Sequence, residues 1–275
     1  MDIHNHKSME SIITNLIEIS ILAGEKILET YESNEPLEVK ADGSPVTKAD
    51  KESHQVITEG IKKIWPRMPI LSEEDSVIRF SQRSKWELYW LIDPLDGTKE
   101  FIKKNGEFTT NIALISKNTP ILGVVHNPLS NETYVGSQLL GSYFYIGEVC
   151  KRKLVIDDSK INTIPRVVVS RSHKDQKTSD FLSLIGEHKI IVSGSSIKFC
   201  LIADNQADIY PRLAPTSEWD TAAGQAVAIY AGSSTLTSSG PLEYNKKSSY
   251  INPSFFVTNE KHEELFSIFK DLDSS

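Results

Sequence analysis

Asp93 and Asp96 stand three residues apart in the run Trp90-Leu91-Ile92-Asp93-Pro94-Leu95-Asp96-Gly97-Thr98, where an apolar segment gives way to a turn. Two carboxylates so placed repel each other unless a cation sits between them. A ligand set made only of oxygen suits Mg²⁺, which takes one or two carboxylates and fills its shell with waters and phosphate oxygens. Gly97 can adopt a positive φ and lets a ligand approach the backbone, and Thr98 can cap whatever follows. Standing alone, the motif would read as a solvated D-P-x-D-G turn. Two further acidic clusters accompany it: Glu73-Glu74-Asp75, and Asp220 in Glu218-Trp219-Asp220-Thr221-Ala222-Ala223-Gly224. Singly, Glu73 reads as a surface acid and Asp220 as a charge in the first turn of a helix, favoured by the dipole. Their joint occurrence favours a metal site.

Groups that could receive a phosphate lie in the second half: His173, Ser195, Lys198 and Arg212. An arginine can grip phosphate through two parallel N–H bonds, whereas a lysine acts as a point charge. His173 and Lys198 taken individually could equally be solvated surface residues.

The elements that must position these groups can be read from periodicity. Ile12, Leu16, Ile19, Ala23 and Ile27 predict an amphipathic helix over 8–31, and Val56, Ile57, Ile61 and Ile64 a second over 48–65, stopped by Pro66. Residues 37–45 read as a short strand and turn, and 69–72 as a strand entry delivering Glu73. The apolar stretch 88–92 is a strand expected to end at Asp93, because Pro94 cannot donate to a ladder. Strands over 109–116, 121–126, 133–136 and 143–146 predict an antiparallel sheet. The polar segment 157–165 suggests a junction between an N-terminal α+β domain (1–158) carrying the metal motifs and a C-terminal α/β domain (159–275) carrying the specificity residues. In the latter, strands over 167–170, 189–193, 207–211 and 234–237 alternate with helices over 174–185, 196–204, 218–231 and 261–272.

Composition narrows the classes. With 275 residues, 39% hydrophobic and 24% charged, the chain reads as an ordinary globular protein. A net charge of −7 argues against binding a nucleic-acid polymer and requires any phosphate site to reverse the field locally. No apolar run approaches the roughly 18 residues of a membrane span. Residues 1–7 lack the features of a secretory signal. Cys150 and Cys200, without metal-type spacing, read as plain core residues in a reduced cytoplasmic setting.

Taken together, Glu73-Glu74-Asp75, Asp93-Pro94-Leu95-Asp96-Gly97-Thr98 and Trp219-Asp220-Thr221-Ala222-Ala223-Gly224 resemble the signatures of the inositol monophosphatase-like, lithium-sensitive, Mg²⁺-dependent phosphatases. The resemblance runs from Gly43-Ser44-Pro45-Val46-Thr47-Lys48-Ala49-Asp50 to the helix at Trp219 and leaves out the residues before Ser8. It implies a layered α+β, α/β fold, the αβαβα sandwich of sugar phosphatases. Gly97-Thr98-Lys99-Glu100-Phe101, Asn105-Gly106-Glu107-Phe108-Thr109, Ser170-Arg171-Ser172-His173, Gly194-Ser195-Ser196-Ile197-Lys198-Phe199-Cys200 and Tyr210-Pro211-Arg212 look like the 3'(2'),5'-bisphosphate nucleotidase branch of CysQ type.

What the resemblance implies is specific. Two or three Mg²⁺ ions are the cofactors. Glu73, Asp93 and the Leu95 carbonyl would hold one ion, and Asp93, Asp96 and Asp220 a second, in a two-metal mechanism acting on an activated water. Asp50 and Thr98 would draw a proton from that water, with Glu73 among the catalytic groups. Glu73, Leu95, Asp96, Gly97, Thr98, His173, Ser195, Lys198, Arg212 and Asp220 would contact substrate. That substrate would be adenosine 3',5'-bisphosphate, and also its sulfated relative, in sulfur assimilation. The partner is then a small bisphosphate nucleotide, to a monomer or a homodimer. Bacterial relatives also imply a peripheral position on the cytoplasmic face of the inner membrane, although nothing amphipathic and basic here demands it. An inositol-1-monophosphatase or a broad sugar-phosphate phosphatase is the alternative on the same scaffold. A binding protein without catalysis is disfavoured by the Asp50/Thr98 pair.

Overall fold

Both parities of the central strands are apolar, so each sheet must be covered on both faces, and the computed structural model meets that demand. It describes residues 3–32, 38–39, 45–75, 77–157, 163–172 and 175–274. Along the chain run α1 (His6–Glu32), β1 (Glu38–Val39), β2 (Pro45–Val46), α2 (Lys48–Ile64), β3 (Ile70–Ser72), α3 (Phe80–Arg83), β4 (Leu88–Asp96), α4 (Thr98–Ile102) and β5 (Thr109–Ser116). There follow β6 (Thr119–Asn127), β7 (Glu132–Ser137), β8 (Gly141–Ile146), β9 (Val149–Leu154), β10 (Arg166–Ser170), α5 (Gln176–Leu184), β11 (Lys189–Ser193) and α6 (Ile197–Ala203). The chain continues through β12 (Ile209–Arg212), α7 (Ala222–Ala231), β13 (Ser234–Thr237), β14 (Gly240–Pro241) and β15 (Phe255–Thr258), then a 3₁₀ segment (Glu260–Leu265) and α8 (Phe266–Ser274).

The first sheet has the order β3-β4-β5-β6-β7-β8-β9, antiparallel apart from the parallel β3–β4 pair. The second has the order β11-β10-β12-β15-β13-β14; β10, β11 and β12 run parallel, while β15 runs antiparallel to β12 and β13. Because successive side chains of a strand point to opposite faces, β4 sends Trp90 and Ile92 into a core with Leu16 and Ile17 of α1 and Ile57 and Ile61 of α2. Its Tyr89 and Leu91 enter a different core, shared with Phe199 of α6, Ala223 and Val227 of α7, and Phe255 and Val257 of β15. Phe256, of the opposite parity on β15, packs outward with Phe181 of α5 and Phe269 of α8. The layers are therefore helix, sheet, helix, sheet, helix, the expected αβαβα sandwich. Each of these large apolar side chains contributes about 1.5–3 kcal/mol by leaving water. The middle layer is tight: a Cβ on Gly123 of β6 would lie 2.4 Å from the Ala223 carbonyl oxygen of α7.

Some expectations need correction. β9 and β15 were not legible as strands. β9 forms the edge of its sheet with five of six positions exposed, so its sequence lacks alternation. Cys150 lies on that edge and is exposed, not part of a core; Cys200 is buried, and both thiols are free. The strand and turn over 37–45 and the junction over 157–165 lie largely outside the described residues. No helix among the described residues is long and apolar enough to cross a membrane.

Candidate active site

β4 does not stop at Asp93. It continues to Asp96, whose partner on β5 is Thr109, while Asp93 pairs with Asn111; the register shifts between the two, so Pro94 and Leu95 form a bulge. A bulge tolerates proline, which is why the strand survives it. The bulge is held from three sides. Ser53 of α2 donates to the Pro94 carbonyl at 2.7 Å, the Leu95 N–H donates to Asp93 Oδ1 at 3.1 Å, and the Leu95 side chain is buried among Ile27, Ala49, Phe101 and Phe108. Gly97, at φ +88°, caps α4, so Thr98 is the first residue of that helix and not its cap. A Cβ at Gly97 would lie 2.9 Å from the Glu107 carbonyl oxygen, so both conformation and space exclude a side chain there.

Thr98 Oγ1 lies 3.4 Å from Asp50 Oδ1 and 3.3 Å from the Leu95 carbonyl. Asp50 arrives through the capping box that opens α2: its Oδ2 accepts from the Thr47 N–H at 2.7 Å and from the Thr47 hydroxyl at 2.6 Å. Glu73 follows β3, and its N–H donates to the Ile92 carbonyl at 3.1 Å, which sets it beside Asp93. Asp220 precedes α7 and is not in its first turn; Thr221 is the N-cap, and Asp220 Oδ2 closes a turn by accepting the Ser217 N–H at 2.9 Å.

Glu73, Asp93 and Asp220, separated by up to 147 residues in sequence, each bring a carboxylate oxygen to within 4.8 Å of the others, and the trio could hold a metal ion. This grouping cuts across the two expected ligand triplets. Asp96 stands alongside with Oδ2 engaged: Ser196 Oγ donates at 2.8 Å and Asn111 Nδ2 at 3.2 Å. Burial opposes ionisation of the three aspartates. It raises Asp93, with further contributions from Glu73, Asp96 and Asp220. It pushes Asp220 up to about 8, reinforced by Asp96 and Glu73. Asp96 is raised by burial despite the opposing Lys198 ammonium.

Across a cleft of about 330 Å³ lie the basic groups. Lys198, on α6 and 6% exposed, donates to the Ser195 carbonyl at 2.5 Å and sits 5.5 Å from the Tyr210 ring centroid. Arg212, on β12 and 7% exposed, donates to Ser170 Oγ at 2.5 Å and to the Pro215 carbonyl at 2.9 Å; its Nε has no hydrogen-bond partner among the described residues. Ser195 occupies the left-handed region at φ +45°. Of the residues expected to act, Glu73, Asp93, Leu95, Asp96, Gly97, Thr98, Ser195, Lys198, Arg212 and Asp220 all line this one cleft, and Asp50 reaches it through Thr98. His173 lies outside the described residues.

Ser196 and Asn111 were missed. The Ser196 hydroxyl is shared between Asp96 Oδ2 and the Asp220 carbonyl oxygen (2.7 Å) and accepts from Asn111 Nδ2 at 2.8 Å, so it ties an acid of β4 to the turn before α7. A neutral serine beside another serine carries no local signal of that role.

Known proteins similar to this chain belong to one family. The sequence profile of the Inositol monophosphatase family matches residues 8–274. A 3'(2'),5'-bisphosphate nucleotidase CysQ of Escherichia coli K12 is 46% identical over 239 residues, covering 86% of this chain and 95% of that protein. The protein of the same name from Buchnera aphidicola is 41% identical over 256 residues, covering 90% of this chain and 93% of its own length. Among solved structures, CysQ from Bacteroides thetaiotaomicron superposes with a TM-score of 0.79 at 38% identity, over 91% of this chain and 97% of the other.

Proposed function

This chain belongs to the inositol monophosphatase family, and from that premise we propose that it is a Mg²⁺-dependent 3'(2'),5'-bisphosphate nucleotidase. In this reading it removes the 3'-phosphate of adenosine 3',5'-bisphosphate to leave AMP, and acts likewise on the sulfated relative. The observation that carries it is the meeting in one cleft of the Glu73, Asp93 and Asp220 carboxylates with the buried cations Lys198 and Arg212. Acids alone would suit a cation and bases alone an anion. Both together suit a phosphate that arrives with metal.

The donor set fits Mg²⁺: it is all oxygen, and a divalent cation would relieve the burial and mutual repulsion that push Asp93 and Asp220 up. Glu73, Asp93, Asp96 and Asp220, with the Leu95 carbonyl, would hold two or three ions. When bound, these supply positive charge to the phosphoryl oxygens and lower the pKa of water toward neutrality. The chain's own groups do the rest. Asp50, held at Oδ2 by Thr47, accepts the Thr98 hydroxyl proton at Oδ1 as the hydroxyl oxygen takes one from the attacking water, so the proton ends on the Asp50 carboxylate. The N–H groups of Gly97 and Thr98 are offered to the scissile phosphate, already oriented by the start of α4. Ser195, Lys198 and Arg212 receive the phosphate that is not cleaved, with Arg212 Nε as an uncommitted donor.

The test is phosphate release from adenosine 3',5'-bisphosphate, its sulfated relative and inositol 1-phosphate, each with Mg²⁺ titrated. The bisphosphates should exceed inositol 1-phosphate in kcat/KM by at least about tenfold. Preference for inositol 1-phosphate, or release undiminished by a chelator, would overturn the reading.

A further inference from the structure

Glu107 lies outside the cleft, in the loop between α4 and β5, yet it holds three donors of the opposite wall. Its carboxylate accepts from Arg171 Nε and Nη2, both at 2.6 Å, and its Oε2 also accepts from the Gly194 N–H at 2.8 Å. The turn it grips is unusual. Ser195, the next residue, has a left-handed backbone at φ +45°, a conformation that L side chains avoid and that surroundings must hold in place. Two clamps do so: Glu107 takes the Gly194 N–H on one side, and the Lys198 ammonium donates to the Ser195 carbonyl on the other.

The fit around this turn leaves no slack. A Cβ on Gly194 would lie 2.7 Å from Glu100 Cγ and 3.0 Å from the Glu107 carbonyl oxygen. The same carbonyl limits Gly97, whose added Cβ would also stand 3.3 Å from Ser195 Cβ. The Glu107 loop therefore sets the spacing between the Gly97–Thr98 turn and the Gly194–Ser195 turn. Arg171 is oriented by the same carboxylate. Its Nη2 also donates to the Val192 carbonyl at 3.2 Å, while Nη1, on a side chain that lines the cleft, takes part in none of these bonds. A bidentate carboxylate fixes the plane of a guanidinium, and with it the direction of the remaining donor.

We propose that Glu107 is a positioning residue for substrate choice: acting through Gly194–Ser195 and Arg171, it sets the subsite for the second phosphate of a bisphosphate nucleotide. This rests on the nucleotidase reading above and deepens it. Glu107 is not among the acids of the metal group, so its loss should act on binding of the doubly phosphorylated substrate and leave the chemical step alone.

The experiment compares wild type with Glu107→Gln and Arg171→Lys, using adenosine 3',5'-bisphosphate and inositol 1-phosphate at saturating Mg²⁺, together with hydrogen exchange at the Gly194 amide. In Glu107→Gln, KM for the bisphosphate should rise about tenfold, with kcat and the KM for inositol 1-phosphate held within about twofold. Arg171→Lys, which keeps the charge but loses the two-pronged geometry, should show the same pattern more weakly. Exchange at the Gly194 amide should quicken in Glu107→Gln. Unchanged KM for the bisphosphate, or an equal rise for both substrates, would overturn the proposal. A wild-type chain inert toward the bisphosphate would instead sink the nucleotidase reading. In that case, unaltered exchange at Gly194 in the variant would show separately that Glu107 does not hold the turn.

Discussion

The acidic and basic walls of the cleft hold their charges by different means. Lys198 and Arg212 are pinned by neutral acceptors: one carbonyl for the lysine, a hydroxyl and a carbonyl for the arginine. Each cation is thereby solvated by the protein while keeping its net charge for a ligand. Asp93 and Asp220 each accept a backbone N–H, but they face Glu73 and each other across a few ångströms, and burial resists their ionisation. At Lys198 and Arg212 the basic wall is held by neutral groups, with the buried Arg212 Nε left for a ligand. A cation held by the acidic wall would relieve that repulsion, which below about pH 8 is lessened by a proton on Asp220. Ser196 links the two by hydrogen-bonding Asp96 and the Asp220 carbonyl from the start of α6.

The acidic wall is most sensitive at Asp93. Asp93→Asn should lower kcat by at least about 10³-fold while leaving the circular dichroism spectrum intact and metal-free Tm unchanged or higher, since it removes one of several repelling buried charges. Near-normal turnover would refute the assignment of Asp93 to the metal group. Next comes the link between the walls. Ser196→Ala should cost about 10–100-fold in metal affinity or activity, read as a rightward shift of the Mg²⁺ titration. An unshifted titration would mean that Asp96 and Asp220 hold their places without it.

On the basic wall, Arg212→Ala should raise KM for adenosine 3',5'-bisphosphate by about tenfold, the loss of one charged hydrogen-bonding partner, with inositol 1-phosphate little changed. An equal loss on both substrates would discredit the separate pocket. The smallest effect is on stability. Asp220 sits at about 8, above the 3.8 of an ordinary aspartate, so its contribution is fully present below about pH 4 and is lost as pH rises through 8. In chelator, Tm should therefore decline by a few degrees across that window, Mg²⁺ should restore it most at the alkaline end, and Asp220→Asn should flatten the slope. A metal-free Tm that rises from pH 4 to 8 in parallel for wild type and variant would remove the acidic wall as its source.

How much could be read beforehand depended on the range of the interactions involved. α1 and α2 were legible because Ile12, Leu16 and Ile19, or Ile57 and Ile61, recur at helical spacing within a dozen residues. β4 and β5 are legible as apolar runs, yet the local sequence ends β4 at Asp93, because the bulge at Pro94 depends on Ser53 and on pairing with β5. β9 escaped notice because an edge strand with Lys151, Arg152 and Lys153 reads as loop. Asp220 was expected within a helix, whereas the Ser217 N–H draws it into the turn before one.

By itself the amino-acid sequence determined the chemistry on offer: acids at 73, 93, 96 and 220, a threonine after a glycine at 98, and cations at 198 and 212, in motifs dense enough to indicate a family. Only the tertiary structure decided that Glu73, Asp93 and Asp220 share one point, that Ser196 joins Asp96 to Asp220, and that Glu107 grips Gly194 and Arg171. The physical reason is distance. Propensity and periodicity act over a few neighbours along the chain, whereas Coulomb and hydrogen-bond energies depend on ångströms in space, and those are set by how two sheets pack against the helices between them.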